Sequence, residues 1–224
     1  MKIDVSLLQR NAMFENVSRE EIEKMCTCLD ARERVITKDS FVFRAGDSIR
    51  FVYLILSGNM HIIDEDFWGN RSIVETMGEN ILFGEAYALY SGTKYLISVI
   101  ASEDSTILEI EPKRLFETCA NRCSCHGVVI RNVAGILAEK IVRLTEKLGH
   151  IAQRTMREKI LSYLSKCARL EQSNAFYIPY SRQQLADYLC VERSALSHEL
   201  SKLRDLKIIR YHRNYFELLE DNAQ

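Results

Sequence analysis

Proline and glycine are scarce in this chain, with two prolines and nine glycines among 224 residues. Collagen-like, linker-rich and low-complexity proteins are therefore excluded, because those classes need a high content of these residues. Long apolar runs are also missing: the longest, Phe51 to Leu56, has six residues, whereas a membrane helix needs about 18 or more. Asp4, Gln9 and Arg10 interrupt the place where a secretory signal would be apolar. The sequence predicts a soluble cytoplasmic protein with no membrane partner.

The total net charge of the chain is close to zero, but positive and negative residues are distributed unequally along it. The formal net charge is −1. Residues 1–120 contain 13 Lys and Arg against 20 Asp and Glu, a net charge of −7, and residues 121–224 contain 17 against 11, a net charge of +6. A basic excess of this kind marks a solvated surface about as often as it marks a binding site for a polyanion. Charge alone does not decide between the two.

Short β-branched and aromatic runs, separated by turn residues, fill the chain from Arg34 to about Ile110. Regular short strands with glycine at the turns are typical of an antiparallel roll or barrel. A Ser-x-x-Glu capping box at Ser18–Glu21 predicts a helix before the first strand. The fold class is therefore α+β, and residues 1–120 are predicted to form a jelly-roll-like antiparallel β-roll.

A helical stripe of apolar residues follows between Val129 and Ile151. Its members recur at steps of three and four; they are Ile130, Val133, Leu137, Ile141, Leu144, Leu148 and Ile151. A helix of about 25 residues spans roughly 37 Å, which is more than a small domain needs to cover itself. We expect residues 121–150 to be a long dimerisation helix that makes a homodimer. Burial of the stripe against its own chain is the alternative.

Residues 151–224 carry the most specific pattern. A second capping box, Ser181 to Gln184, opens one helix, Cys190-Val191 interrupts it, and the helix 192–206 follows. Leu196, Leu200 and Leu203 fall on one face of that helix, and the opposite face is polar; its residues are Arg193, Ser194, Ser197, His198 and Ser201. A β-hairpin with Arg213 at its tip comes next. This order of elements predicts a winged helix-turn-helix.

Double-stranded DNA is the partner that such a surface predicts. The Arg193 guanidinium can bind guanine O6 and N7, while Ser and His side chains can bind bases or phosphates. Candidate contacts are Ser181, Arg182, Gln183, Arg193, Ser194, Ser197, His198 and Arg213. Those at the start of the first helix are expected to hold phosphates, which fixes register without reading sequence. A polar helical hairpin that is merely solvated is the alternative.

The whole chain resembles the Crp/Fnr superfamily of bacterial transcription regulators. The resemblance is carried by Val42 to Asp47, Tyr53 to Gly58, Gly78 with Phe83-Gly84-Glu85, the long helix to Gly149, and Ser181 to Leu206 with the wing. It implies a cyclic-nucleotide-binding-type roll that senses a small-molecule or redox effector, and a dimer that reads a near-palindromic site. RNA polymerase is a further partner if the protein activates transcription. Arg193, Ser194 and His198 match the base-contacting positions; His198 stands where arginine is common, and Cys190 where the turn usually has glycine.

The resemblance also marks an effector pocket. In cAMP-binding members a Gly-Glu pair is followed by Arg-Ser or Arg-Thr, which holds the cyclic phosphate. Gly84 and Glu85 are present here, but Tyr95-Leu96 occupies the place of the second pair. An opposite charge at 4 Å contributes roughly 4 kcal/mol at an effective dielectric of about 20, so its loss predicts that cAMP is not the effector. The predicted pocket comprises Gly84, Glu85, Ala86, Tyr95, Leu96 and Thr145.

Seven cysteines occur in the chain, three of them close together at Cys119, Cys123 and Cys125, next to His126. Thiolates bind iron–sulfur clusters, zinc or copper, but the spacing is neither a ferredoxin pattern nor a C-x2-C pair. Inert thiols are the favoured interpretation, and a redox-, metal- or cluster-sensing regulator is the alternative. Haem bound through His126 or His61 is a weaker alternative. No cofactor is identified.

Motifs of the common enzyme classes are missing from the sequence. There is no P-loop, no G-x-G-x-x-G, no H-E-x-x-H and no nucleophile–base–orienter constellation. The sequence therefore predicts a regulator and not an enzyme. A sensor module that has lost DNA binding is the remaining alternative.

Overall fold

The computed structural model describes residues 3–90, 96–117 and 124–219. The chain divides into two compact units, Met1–Leu137 and Ala138–Gln224. Within the described residues, no helix combines the length and apolar character needed to cross a bilayer.

The first unit is built around two four-stranded sheets. Its elements are helix α1 (Val5–Leu8), a 3-10 turn (Ala12–Phe14), helix α2 (Arg19–Cys28), strands β1 (Arg32–Ile36), β2 (Phe41–Phe43), β3 (Val52–Ser57), β4 (Met60–Glu65), β5 (Arg71–Met77) and β6 (Leu82–Phe83), helix α3 (Glu85–Leu89), strands β7 (Ile97–Ala101) and β8 (Ser105–Ile110), and helix α4 (Pro112–Phe116). The sheet orders are β1-β8-β3-β6 and β2-β7-β4-β5. Every pairing between their strands is antiparallel. The predicted antiparallel β-roll is confirmed.

Strand β3 explains how the roll is packed, because its side chains alternate between two cores. Val52 and Leu54 join a core that includes residues of α1, α2 and α4. Tyr53 and Ile55 point the other way, into the core between the two sheets. There the ring of Tyr53 stacks on Phe83, with centroids 5.0 Å apart. The interior of the roll is therefore filled by side chains, as in other small β-rolls.

A long helix, α5 (Ser124–Ile151), has 28 residues. In the first unit it buries Val129 and Val133 fully. In the second unit Ile141 and Leu148 remain 64% and 60% exposed. Val133 belongs to the predicted stripe but lies in the first unit's own core. The expectation of one continuous dimer seam along the whole stripe is therefore wrong at Val133, which the chain covers itself.

The second unit contains helix α6 (Met156–Glu171), strand β9 (Ala175–Tyr177), helices α7 (Arg182–Leu189) and α8 (Arg193–Asp205), and strands β10 (Ile209–His212) and β11 (Tyr215–Leu218). The three strands form one antiparallel sheet in the order β10-β11-β9. Apolar residues of α6, α7, α8 and this sheet form one core. The predicted winged helix-turn-helix is confirmed.

We expect Gly58→Ala to destabilise the roll more than Gly69→Ala does. Both glycines are left-handed, with φ of +87° and +81°, which costs a residue with a Cβ about 1–2 kcal/mol. A Cβ on Gly58 would also lie 2.3 Å from Ser105 Oγ and 2.9 Å from the Asp104 carbonyl oxygen, whereas one on Gly69 meets no described atom within 4 Å. Overpacking of this kind adds about 1–3 kcal/mol. Urea unfolding measures both losses, and equal losses would contradict the steric argument.

Candidate nucleic-acid interface and sensor residues

The start of α7 is fixed by the capping box that the sequence predicts. Ser181 Oγ accepts the Gln184 N–H at 3.3 Å, and Gln184 Oε1 accepts the Ser181 N–H at 2.8 Å. At the other end Cys190 is left-handed, with φ of 53° and ψ of 53°. This conformation closes the turn to α8 and is one that glycine adopts at no steric cost. Local chemistry at both ends therefore sets where α8 begins.

Helix α8 presents opposite faces to the core and to the outside. Leu196, Leu200 and Leu203 are fully buried. Arg193, Ser194 and His198 are exposed, and their side chains make no hydrogen bond within the described residues. Hydrogen-bonding groups near the N-terminus of a helix, turned away from the core, are what base readout in a major groove requires.

Two other predicted contact residues are already bonded within the protein. The Ser197 hydroxyl donates to the Arg193 carbonyl oxygen at 3.0 Å. Gln183 Nε2 donates to Asp187 Oδ1 at 2.8 Å, one turn further along α7. Hydroxyl bonds back to the preceding helical turn are a common resting arrangement for serine. Each side chain keeps further hydrogen-bonding capacity, since the Ser197 oxygen can still accept and Gln183 has a second N–H and its Oε1, so both can contact DNA with these bonds in place.

Arg182 is engaged with the wing. Its Nη2 donates to the Arg213 carbonyl oxygen at 3.1 Å. The guanidinium carbon lies 5.2 Å from the ring centre of Tyr211 and 5.5 Å from that of Phe216. Burial lowers the pKa of Arg182, but an arginine remains charged at neutral pH.

The wing tip is a two-residue loop between the paired residues His212 and Tyr215. Arg213 is exposed there and left-handed, with φ of 51°. The Ile178 N–H donates to the Asn214 carbonyl oxygen at 2.9 Å. Both loop residues are therefore held through their own carbonyl oxygens, one by the Ile178 N–H and the other by the Arg182 side chain, and the Arg213 side chain is left at the surface.

A partly buried aromatic cluster joins the end of α5, α6 and α7, and sequence reasoning missed it. His150 Nδ1 is 2.8 Å from Ser162 Oγ, and its ring meets Tyr163 edge-on at 5.8 Å. Tyr188 of α7 stacks on Tyr180 at 5.1 Å. Burial, and then the nearby positive charge of Lys166, lower the pKa of His150. No spacing in the sequence groups these residues, because they come together only through tertiary packing.

The sensor residues lie in part at the start of α3. Gly84 is left-handed (φ +79°), and a Cβ there would be 2.8 Å from the Tyr53 ring; Glu85 is buried, Ala86 is exposed, and Leu96 is exposed. Tyr95 lies outside the described residues. In the second unit, Thr145 donates its hydroxyl to the Ile141 carbonyl oxygen at 2.8 Å. Gly84, Glu85 and Ala86 adjoin one another because they are consecutive in the sequence, and the effector pocket as a whole stays a prediction.

The cysteine alternative is described only in part. Cys125 is buried, and Cys119 and Cys123 fall outside the described residues. Another cysteine, Cys26 of α2, is half-buried. Burial raises its pKa to about 11, so that thiol stays protonated at neutral pH. Among the described residues no three His, Cys, Asp or Glu side chains form a group that could hold a metal ion.

The two possible haem ligands already have neighbours of their own. His126 Nε2 lies 3.2 Å from the Leu115 carbonyl oxygen, and His61 Nδ1 lies 3.0 Å from Thr76 Oγ1. Both imidazoles are thereby oriented by protein atoms.

A β-roll in one unit and a winged helix-turn-helix in the other define a two-domain DNA-binding transcription regulator. Residues 33–122 match the model of the cyclic nucleotide-binding domain, and residues 158–222 match that of the Crp-like helix-turn-helix domain. The chain is 22% identical to the cyclic AMP receptor protein of Thermus thermophilus over 203 residues, which cover 91% of this chain and 90% of that protein. It belongs to the Crp/Fnr family of transcription regulators.

Solved structures share the fold. CprK in complex with OCPA gives a TM-score of 0.62 at 16% identity, over 90% of this chain and 92% of that one. The c-di-GMP-responsive regulator CLP of Xanthomonas campestris gives a TM-score of 0.55 at 18% sequence identity. The match covers 91% of this chain and 100% of that one.

Proposed function

We propose that this chain is a homodimeric, effector-responsive transcription regulator that reads a near-palindromic DNA site with the helix 192–206. The observation that carries the proposal is the outward face of α8, where Arg193, Ser194 and His198 are exposed and have no side-chain partner among the described residues. Ser181, Gln183, Ser197 and Arg213 complete the proposed contact surface around it. RNA polymerase is a partner in this proposal only if the bound protein activates transcription.

Replacing Arg193 by alanine tests the role of base reader. We expect Arg193→Ala to lose about 1–3 kcal/mol of discrimination between a specific site and random DNA, because a bidentate guanidinium–guanine contact is lost. Fluorescence anisotropy with both DNAs at one fixed salt concentration measures this difference. Arg204→Ala is the matched control, since Arg204 is exposed on the last turn of the same helix and is paired with Asp205. Equal losses on both DNAs for Arg193→Ala would refute the assignment.

The homodimer is supported by a stripe on α5 that the described residues leave exposed. Ala134, Ala138, Ile141, Thr145 and Leu148 are exposed, and at 100° per residue they fall within an arc of about 80°. Steps of four and three between small and apolar residues suit a close helix pair. Exposed apolar stripes mark association surfaces. A second copy packed on this stripe would supply the second recognition helix that a near-palindromic site needs.

We expect Leu148→Glu to shift the protein from dimer to monomer, because it places a charge within the uncovered stripe. Arg143→Glu is the control, since Arg143 is also exposed but points about 160° away from the stripe residue Ile141. Sedimentation velocity over a range of concentrations gives the dissociation constant of each variant. The proposal predicts an increase of at least about tenfold for Leu148→Glu only; the same constant for both variants would contradict it.

The effector is proposed to be a ligand other than cAMP. The support is the sequence Tyr95-Leu96 at the place where cAMP-binding members have the arginine that pairs with the phosphate. An effector acts by binding the DNA-competent and the incompetent dimer with different affinity, so DNA binding and effector binding are linked.

Isothermal titration with cAMP tests the effector proposal. We expect no saturable binding at ligand concentrations up to about 1 mM, since the charge that would offset phosphate desolvation is missing. Saturable binding that also tightens the DNA complex would contradict it. An absorption spectrum of protein purified without oxygen serves as a second arm, because a visible band that bleaches in air would favour the cysteine-based sensor instead.

A further inference from the structure

The wing tip adopts a backbone conformation that its sequence does not favour. Arg213 is left-handed, with φ of 51°, at the first position of a two-residue hairpin loop. Glycine, asparagine and aspartate are the usual residues there, because other side chains crowd the backbone in this region. An arginine at this point costs about 1–2 kcal/mol of conformational energy, which contacts from elsewhere in the fold offset.

Those contacts come from two elements outside the hairpin. The main chain of Ile178, just after β9, donates to the Asn214 carbonyl oxygen at 2.9 Å. Arg182, on the first turn of α7, donates to the Arg213 carbonyl oxygen at 3.1 Å. The loop is thus bound on both of its residues, and the second bond spans 31 positions of sequence.

The planar guanidinium of Arg182 is itself fixed. It lies over the rings of Tyr211 and Phe216, which stack on each other at 5.7 Å with an interplanar angle of 22°. Tyr211 also brings its hydroxyl to 3.4 Å from Ser201 Oγ on α8. Arg182 and Tyr211 therefore connect α7, the wing and the recognition helix.

We propose that Arg182 is a positioning residue, which holds the wing tip so that the Arg213 side chain meets a DNA phosphate, and does not bind phosphate itself. This inference rests on the proposed function, since it assigns a role within the same DNA-binding surface. It replaces the expectation that Arg182 contacts phosphate directly. Lysine cannot replace Arg182 in this role. Its ammonium group is not planar, so it cannot pack over the two rings and donate to the Arg213 carbonyl oxygen at the same time.

The test compares Arg182→Lys, Arg182→Gln, Arg213→Gln and the double variant Arg182→Gln/Arg213→Gln. Affinity for a selected DNA site is measured over a range of salt concentrations. The plot of log affinity against log salt concentration has a negative slope, and each lost phosphate contact reduces the magnitude of that slope by about 1. Amide hydrogen exchange at residues 211–215 is measured in the same proteins without DNA, which reports the order of the wing independently of binding.

If Arg182 acts through Arg213, all four variants bind on the order of tenfold more weakly and lose about one unit of slope, with no further loss in the double variant. Both Arg182 variants also exchange their wing amides faster than the wild type, whereas Arg213→Gln does not. The proposal is overturned if Arg182→Lys binds like the wild type, if the double variant loses about two units of slope, or if wing exchange is unchanged.

The hydrogen-exchange measurement distinguishes a failure of this inference from a failure of the proposed function. A wild-type chain that selects no DNA sequence even at concentrations that populate the DNA-competent dimer without effector refutes the proposed function. Faster wing exchange in Arg182→Lys and Arg182→Gln then still supports the contact between α7 and the wing, and unchanged exchange refutes that contact by itself.

Discussion

Burial of one face of α8 is the constraint on which the DNA-binding unit depends. Leu196, Leu200 and Leu203 are fully buried, and each such side chain contributes about 1.5–3 kcal/mol through removal from water. Because the helix repeat is fixed at 3.6 residues, this burial forces Arg193, Ser194 and His198 outward. The reading face is thus a consequence of packing on the other side of the same helix.

The elements around α8 hold it through contacts of different kinds. The left-handed Cys190 closes the turn from α7. Ring contacts of Tyr188 with Tyr163 of α6 and with His150 at the end of α5 hold α7 on its other side. On the other side, the wing is fixed by the aromatic rings of Tyr211 and Phe216 and by the planar guanidinium of Arg182 that lies over them. A rigid surround of this kind keeps the hydrogen-bonding groups in register with a groove, which direct readout of bases requires.

The parts of this molecule that could be predicted from sequence are those fixed by local chemistry. Capping boxes at Ser18 and Ser181, glycine turns between short strands, and the opposed faces of α8 each depend on residues a few positions apart. The contact of Arg182 with the wing joins residues 31 positions apart, and no periodicity signals it. The stripe on α5 was predicted as one surface, because sequence shows that a residue is apolar but not which neighbour covers it; Val133 is covered by its own chain, and Leu148 is not.

The central claim is that two copies of α8 read DNA as a pair. Selection from a pool of random duplexes by the full chain tests this most directly, since it assumes no operator. It is run at protein concentrations high enough to populate the DNA-competent dimer without effector. The account predicts enrichment of a two-fold symmetric sequence whose half-sites are centred about 10 base pairs, one helical turn, apart. Recovery of sequences that share no motif, or of a single asymmetric half-site, would contradict it.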